Sequence, residues 1–168
     1  MRLAALFAIA GLIALAIQTT MTRLLPFAEL MPSLTVILVV ELARHHEGVM
    51  AVVMAFVIGY AADALSGTQL GLNALIYTLI FIGVRWFAQR IDGRSMTAAM
   101  IAVFGGVLAA DLLNFGLSSA LVGNRPRLAP VLPLATLQAA VTALCAPPLF
   151  RVLQRSARFV GLRPRTTW

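Results

Sequence analysis

Long apolar runs alternate with short polar connectors along the chain. Each residue of a helix adds about 1.5 Å, so a helix needs about 20 apolar residues to cross a hydrocarbon core about 30 Å thick. Five runs approach or exceed this length, and they cover about residues 3–21, 48–65, 70–87, 95–121 and 131–150. With a sixth, shorter run over about residues 31–43, the pattern predicts an all-α fold, a polytopic integral membrane bundle of six transmembrane helices.

The apolar run over residues 31–43, which is the second along the chain, is short for a membrane span. Pro32 opens it, which suits a helix start, because the N–H that proline lacks has no intrahelical partner there. Three arrangements fit its length: a span with little tilt, a span extended by Leu30 and residues 42–43, or a re-entrant half-span. We favour a span, because a run this apolar has little reason to stay in water.

The composition indicates that lipid is the main solvent of this chain. Hydrophobic residues make up 61% and charged residues 11% of the sequence, whereas a soluble domain carries about 25% charged residues. No polar block is long enough to fold alone, so we expect one membrane domain over residues 1–150 and a basic cytoplasmic tail over residues 151–168. The apolar amino terminus is long for a signal peptide, which favours a retained first span.

The basic side chains predict the orientation of the chain. The net charge is +7, and every basic side chain is an arginine in a connector or a terminal segment beside an apolar run. This placement indicates topology and contact with anionic lipid headgroups rather than nucleic-acid binding. With six spans and both termini in the cytoplasm, all arginines except Arg23, Arg125 and Arg127 lie inside. If the second run does not span, Arg2 and Arg23 exchange sides, and the bias is unchanged.

Two aspartates interrupt the apolar runs at a similar depth. Asp63 and Asp111 each lie about 22–24 Å along their predicted helices, in the outer part of the membrane. Their surroundings, residues 61–65 and 109–113, echo each other like a weak parallel repeat. A carboxylate at membrane depth costs about 2.5–3.5 kcal/mol on insertion scales. Three roles stay open: contact with headgroups or with amides of the turn at 66–70, interhelical hydrogen bonds, or an ion, proton or substrate pathway.

Catalysis finds little support in the residues. No histidine falls within a predicted span, and the adjacent His45 and His46 point in different directions from a helix, so the prediction there is an interfacial loop. Cys145 has no histidine near it in sequence and is typical of a small buried apolar residue. No phosphate-binding loop or metal motif is visible. We therefore predict a protein that is not an enzyme and uses no cofactor or metal.

The segment from Gly59 to Asn73 carries a family resemblance. It reads Gly-x-x-x-Asp-x-Leu-Ser-Gly-x-x-Leu-Gly, and it spans a predicted helix–turn–helix at membrane depth. Together with the span order, Pro32 before the short run and the arginine-rich tail, it resembles the MreD family of rod shape-determining membrane proteins. The family's usual pattern has Asn or Asp after this proline, where this chain has Ser33.

The resemblance implies a non-enzymatic scaffold of the bacterial cell-elongation machinery, or elongasome, with multiple spans in the inner (cytoplasmic) membrane. Its partner would be MreC, a single-span protein with a periplasmic coiled coil. The pair would help couple cytoplasmic MreB filaments to the glycan polymerase and transpeptidase of peptidoglycan synthesis, and anionic lipids would be further partners. The residues expected to make structural or partner contacts are Pro32, Gly59, Asp63, Ser66, Gly67, Gly71, Asn73, Asp111 and Asn114.

The alternative interpretation is the membrane-embedded substrate-binding subunit of an energy-coupling-factor vitamin transporter. Such subunits are similar in size, span number and internal basic charge, and the two families are thought to be similar in fold. A vitamin pocket needs several polar or aromatic side chains near the outer side. The candidates in this chain are few: Asp63, Asn73, Tyr77, Asp111 and Asn114. A small ion or proton transporter is a third interpretation.

Overall fold

The computed structural model describes residues 11, 13–18, 20, 32–46, 48–66, 71–90, 95–122 and 128–159. Every regular element in these ranges is an α-helix, which confirms the predicted all-α class. Helix α1 lies within residues 11–20, and most of the predicted first span falls outside the described residues. The helices that follow are α2 (Leu34–His45), α3 (Val49–Ser66), α4 (Leu72–Arg90), α5 (Met96–Val122) and α6 (Leu128–Phe159).

Four of the described helices are long and apolar enough to cross a membrane. The segments that meet this requirement are Val49–Ser66, Leu72–Arg90, Met96–Leu117 and Leu132–Leu153, and they belong to α3 to α6. Large apolar side chains on their outer faces are exposed, as expected for surfaces in contact with lipid acyl chains. The structure therefore has four helices that are able to span a membrane, and the count of six spans stays a prediction.

Helix α2 is the central helix of the bundle. It has 12 residues, about 18 Å of rise, and every residue from Thr35 to Ala43 is buried. It packs against α3, α4, α5 and α6. A helix that is enclosed on all sides needs no polar face, and it can be shorter than the bilayer because protein rather than lipid surrounds it.

Polar side chains fix the amino-terminal end of α2 to its neighbours. The N–H of Ser33 donates to the hydroxyl of Thr142 on α6 at 3.2 Å. The hydroxyl of Thr35 donates to the Gln18 side-chain oxygen on α1 at 2.9 Å. Because these groups are buried or partly buried in the bundle, each bond helps to hold α2 in a defined axial position.

Helices α3 and α4 form the most closely packed pair, and α5 pairs with α6. Helix α6 runs without interruption past Pro147 and Pro148 and continues through Arg151 and Arg155 to Phe159. Part of the segment expected to form the basic tail is therefore helical and prolongs the last span.

Candidate functional site: a buried polar cluster at membrane depth

Asp63 is completely buried and accepts four hydrogen bonds from the start of α4. Its Oδ2 accepts from the backbone N–H groups of Gly71 at 2.9 Å and Ala74 at 3.3 Å. Its Oδ1 accepts from the backbone N–H of Asn73 at 3.1 Å and from the Asn73 side-chain amide at 2.9 Å. Both oxygens of this carboxylate are therefore used within the chain.

The bonds to Asp63 cap a helix that would otherwise begin with unpaired amides. The first N–H groups of any α-helix lack intrahelical acceptors, and α4 has no acidic side chain in its own first turn. Asp63, which lies one turn before the end of α3, supplies the missing negative charge. The positive end of the α4 dipole and the four donors together offset the cost of placing a carboxylate in the membrane.

Gly59 and Gly71 allow the two helices to come close enough for this cap. A Cβ on Gly59 would lie 2.5 Å from the Ala74 Cα and 2.6 Å from the Asn73 carbonyl oxygen, so the α3 and α4 backbones touch at this point. Gly71 has φ +95°, a conformation that side chains with a Cβ rarely adopt. Gly59 lies four residues before Asp63, on the same face of α3.

Asn73 and Asn114 extend the cluster to a third helix. The Asn73 amide donates to Asp63 at 2.9 Å, and its own side-chain oxygen accepts from the Asn114 amide at 3.3 Å. A continuous path of side-chain hydrogen bonds therefore joins α3, α4 and α5. Five predicted site residues meet in this polar cluster, which we define as Gly59, Asp63, Gly71, Asn73 and Asn114.

The other predicted site residues lie apart from the polar cluster or at its edge. Ser66 ends α3, and its hydroxyl reaches the Asp63 carbonyl oxygen at 3.5 Å. Pro32 precedes α2, and Gly67 lies outside the described residues. Asp111 is half-buried on α5, and its Oδ2 is inaccessible and has no hydrogen-bond partner among the residues that the structure describes. The two aspartates thus differ in bonding, contrary to the common chemistry that their similar sequence surroundings indicated.

A second polar cluster, which the hydrophobic pattern did not predict, surrounds Glu41 at the carboxyl-terminal end of α2. Glu41 is 2% exposed. Its oxygens lie 3.8 Å from Arg44 Nη1 and 3.3 Å from His45 Nε2. The Arg44 guanidinium lies over the Phe150 ring at 5.8 Å, and Arg85 donates to the His46 carbonyl oxygen at 3.2 Å. This cluster joins the ends of α2 and α4 to α6.

The spacing within this second cluster was the signal available in the sequence. Residues three and four positions apart share a helix face, so Glu41, Arg44 and His45 form one polar face if α2 continues to His45. The hydrophobic pattern instead predicts a connector at Arg44 and His45, because the apolar run ends at about residue 43. The same surroundings lower the pKa of His46, mainly because burial disfavours the charged imidazole and also because His45 lies near.

These contacts hold helices together, and we see no arrangement for chemical turnover in the described part of the chain. Its His, Cys, Asp and Glu side chains form no group of three or more that would suit a metal ion. The fold and the site together define an integral-membrane helical bundle in which the buried carboxylate of Asp63 joins α3 to α4.

A family model described as rod shape-determining protein MreD matches residues 2–156. The chain therefore belongs to the MreD family, as the segment around Asp63 indicated, and the family implies a role in the determination of rod shape. No curated protein and no solved structure gives a significant match. The expected similarity to the transporter subunits accordingly stays a prediction.

Proposed function

We propose that this protein is a non-enzymatic scaffold of the inner membrane that binds MreC and helps couple MreB filaments to the peptidoglycan synthases. The family match over residues 2–156 is the observation that carries the proposal. The orientation that we propose places both termini in the cytoplasm, in line with the arginine distribution.

Asp111 gives structural support for a partner helix. A carboxyl group at membrane depth needs a hydrogen-bonding partner. Asp63 obtains four from its own chain, whereas Asp111 obtains none from the described residues. Because Asp111 is only half-buried, a donor from a second protein can reach the exposed side of its carboxylate, and a protein with a single transmembrane span, such as MreC, fits that requirement.

The surface beside Asp111 suits the close approach of a helix. Ile101, Gly105, Leu112 and Gly116 are exposed and form one stripe along α5, since they are spaced by four, seven and four residues. A Cβ on either glycine would meet nothing within 4 Å. Small residues let transmembrane helices pack backbone to backbone, and Asp111 lies on the flank of this stripe.

Co-purification in mild detergent tests the proposal. The tagged chain, expressed together with MreC, should retain MreC, and Asp111→Ala or Gly105→Leu should reduce its recovery severalfold. Asp111→Asn keeps a polar group and should retain more MreC than Asp111→Ala. Gly83→Leu is the matched control, because Gly83 is an exposed glycine with open space on α4.

The possible outcomes distinguish an error in the proposed partner from an error in the proposed binding surface. If the unsubstituted chain retains no MreC, the proposed partner is wrong. If MreC is retained and the α5 variants behave like Gly83→Leu, MreC binds at another surface. If instead a vitamin is found tightly bound to the purified chain by mass spectrometry, the transporter interpretation replaces the proposal.

A further inference from the structure

Several exposed arginines lie at one end of the bundle. The Arg44 guanidinium over Phe150 places the carboxyl-terminal turn of α2 level with that part of α6. The bond from Arg85 to the His46 carbonyl oxygen places α4 at the same level. Arg90 on α4, and Arg151 and Arg155 on α6, follow these positions and are exposed. They therefore lie at the same end of the bundle, which we call the basic end.

The exposed arginines of the basic end have no acidic partner in the described part of the chain. Glu41 is the acid described at this end, and it is buried and contacts Arg44 and His45. Asp63 and Asp111 lie within α3 and α5, and Asp63 is occupied by α4. The charge of Arg90, Arg151 and Arg155 is therefore uncompensated there.

The exposed Trp86 side chain indicates that the positive charge of Arg90 lies at the membrane interface. Its side chain is 59% exposed, and the Arg90 guanidinium lies 4.5 Å from the ring centroid. Tryptophan favours the boundary between acyl chains and headgroups, and a cation held over its ring lies at headgroup level. The pair thus presents a positive group where a lipid phosphate is found. On α6, Arg151 and Arg155 are four residues apart and share one face.

We infer that the basic end binds the headgroups of anionic phospholipids, with Trp86 and Arg90 forming the contact on α4 and Arg151 and Arg155 extending it on α6. The inference does not depend on MreC or on any other protein partner. An anionic headgroup is favoured over a zwitterionic one because the phosphate charge of a zwitterionic lipid is compensated by the cationic group of the same headgroup.

Quenching of Trp86 tests this inference on the full chain. The chain has two tryptophans, so Trp168→Phe leaves Trp86 as the sole reporter. The protein is reconstituted with brominated phosphatidylglycerol or brominated phosphatidylcholine, each mixed with the unbrominated lipids. Quenching normalised to unbrominated bilayers then gives the relative affinity of the two headgroups beside Trp86.

We expect phosphatidylglycerol to be preferred by about fivefold, which is the equivalent of about 1 kcal/mol per arginine at an anionic surface. Arg90→Gln should bring the ratio close to one, and Arg90→Lys should keep most of the preference. High salt should lower it, because these charges are exposed to ions. Arg127→Gln, predicted on the opposite side of the membrane, is the control and should change nothing.

A second measurement covers the α6 contact. Native mass spectrometry of the detergent-purified chain should show fewer retained phosphatidylglycerol molecules in Arg151→Gln/Arg155→Gln than in the unsubstituted chain. Equal quenching by the two lipids, or a preference that survives Arg90→Gln, would overturn the inference. Loss of an acidic cytoplasmic protein from the arginine variants with an unchanged lipid ratio would also overturn it, and would assign the basic end to a protein.

Discussion

Replacement of Asp63 by alanine should destabilise the bundle more than any other single truncation of a polar side chain in the polar cluster. The change leaves three backbone N–H groups and one side-chain amide without their acceptor. A buried donor without a partner costs about 1–3 kcal/mol. At the lower figure for each of the four, Asp63→Ala costs roughly 4 kcal/mol of unfolding free energy.

The isosteric variant Asp63→Asn gives a second test of the estimated cost of losing these hydrogen bonds. Oδ1 and Oδ2 each accept two of the four bonds. An amide group replaces one oxygen by a donor, so two bonds are lost whichever way the amide points. We expect Asp63→Asn to cost roughly half as much as Asp63→Ala, on the order of 2 kcal/mol.

Unfolding in mixed micelles with increasing dodecyl sulfate, followed by circular dichroism, measures these differences. Thr136→Ala is the control, because Thr136 is exposed and its hydroxyl bonds to Pro133 of its own helix at 2.8 Å. It should stay within about 0.5 kcal/mol of the unsubstituted chain. An Asp63→Ala chain that also stays within about 1 kcal/mol would refute the cap as the basis of the α3–α4 contact.

Three further variants test separate contacts with the same unfolding assay. Gly59→Ala should cost at least about 1–3 kcal/mol, because its Cβ would lie 2.5 Å from the α4 backbone, whereas Gly83→Ala, in open space, should be neutral or slightly stabilising; equal effects would contradict the close approach. Asp111→Ala should leave the isolated chain as stable as before or more stable, because Oδ2 loses no hydrogen bond to the described residues; a loss of more than about 1 kcal/mol would reveal an internal partner. The lowered pKa of His46 predicts that the free energy of unfolding falls as the pH drops through the ordinary value of 6.5, because the His46 imidazole then takes up a proton more readily in the unfolded chain than in the folded chain. His46→Gln should flatten this part of the pH profile, and an unchanged slope would assign the pH dependence to another group.

The asymmetry between the two aspartates could not be read from their local sequences. Asp63 lies one turn before the end of α3, so the chain turns back and brings the amides of α4 to it. Asp111 lies in the middle of α5, which continues to Val122 before any new helix begins. Local similarity predicted a shared role, but the distance to the next helix start decides whether a helix can cap the carboxylate. The motif around Asp63 predicts that Asp63→Ala weakens assembly or partner binding more than Asp111→Ala does, whereas the bonding of the two carboxylates assigns a stability effect to Asp63 and a binding effect to Asp111.

The central position of α2 was likewise not predictable from its composition. Residues 34–43 are apolar apart from Thr35 and Glu41, and an apolar face suits lipid and protein equally well. Hydrophobic pattern therefore predicts that a segment leaves water, but it does not say which helices surround it. The all-α class and the membrane setting followed from the pattern, whereas the Glu41 cluster required knowing that α2 continues to His45.

The bonding of the polar groups divides the bundle into a fixed part and a surface open to a partner. The polar cluster joins α3, α4 and α5 near one end, and the Glu41 cluster joins α2, α4 and α6 at the basic end. Helix α4 takes part in both, so its axial position is fixed twice. Asn114 belongs to the polar cluster and lies three residues from Asp111 on α5. A partner that bonds to Asp111 would therefore act on a helix that is already fixed against α4, and it would dock on α5 without reorganising the bundle. The two variants on α5 should therefore behave differently. Asn114→Ala should weaken MreC binding only to the extent that it destabilises the bundle, whereas Asp111→Ala should weaken MreC binding without a change in the stability of the bundle.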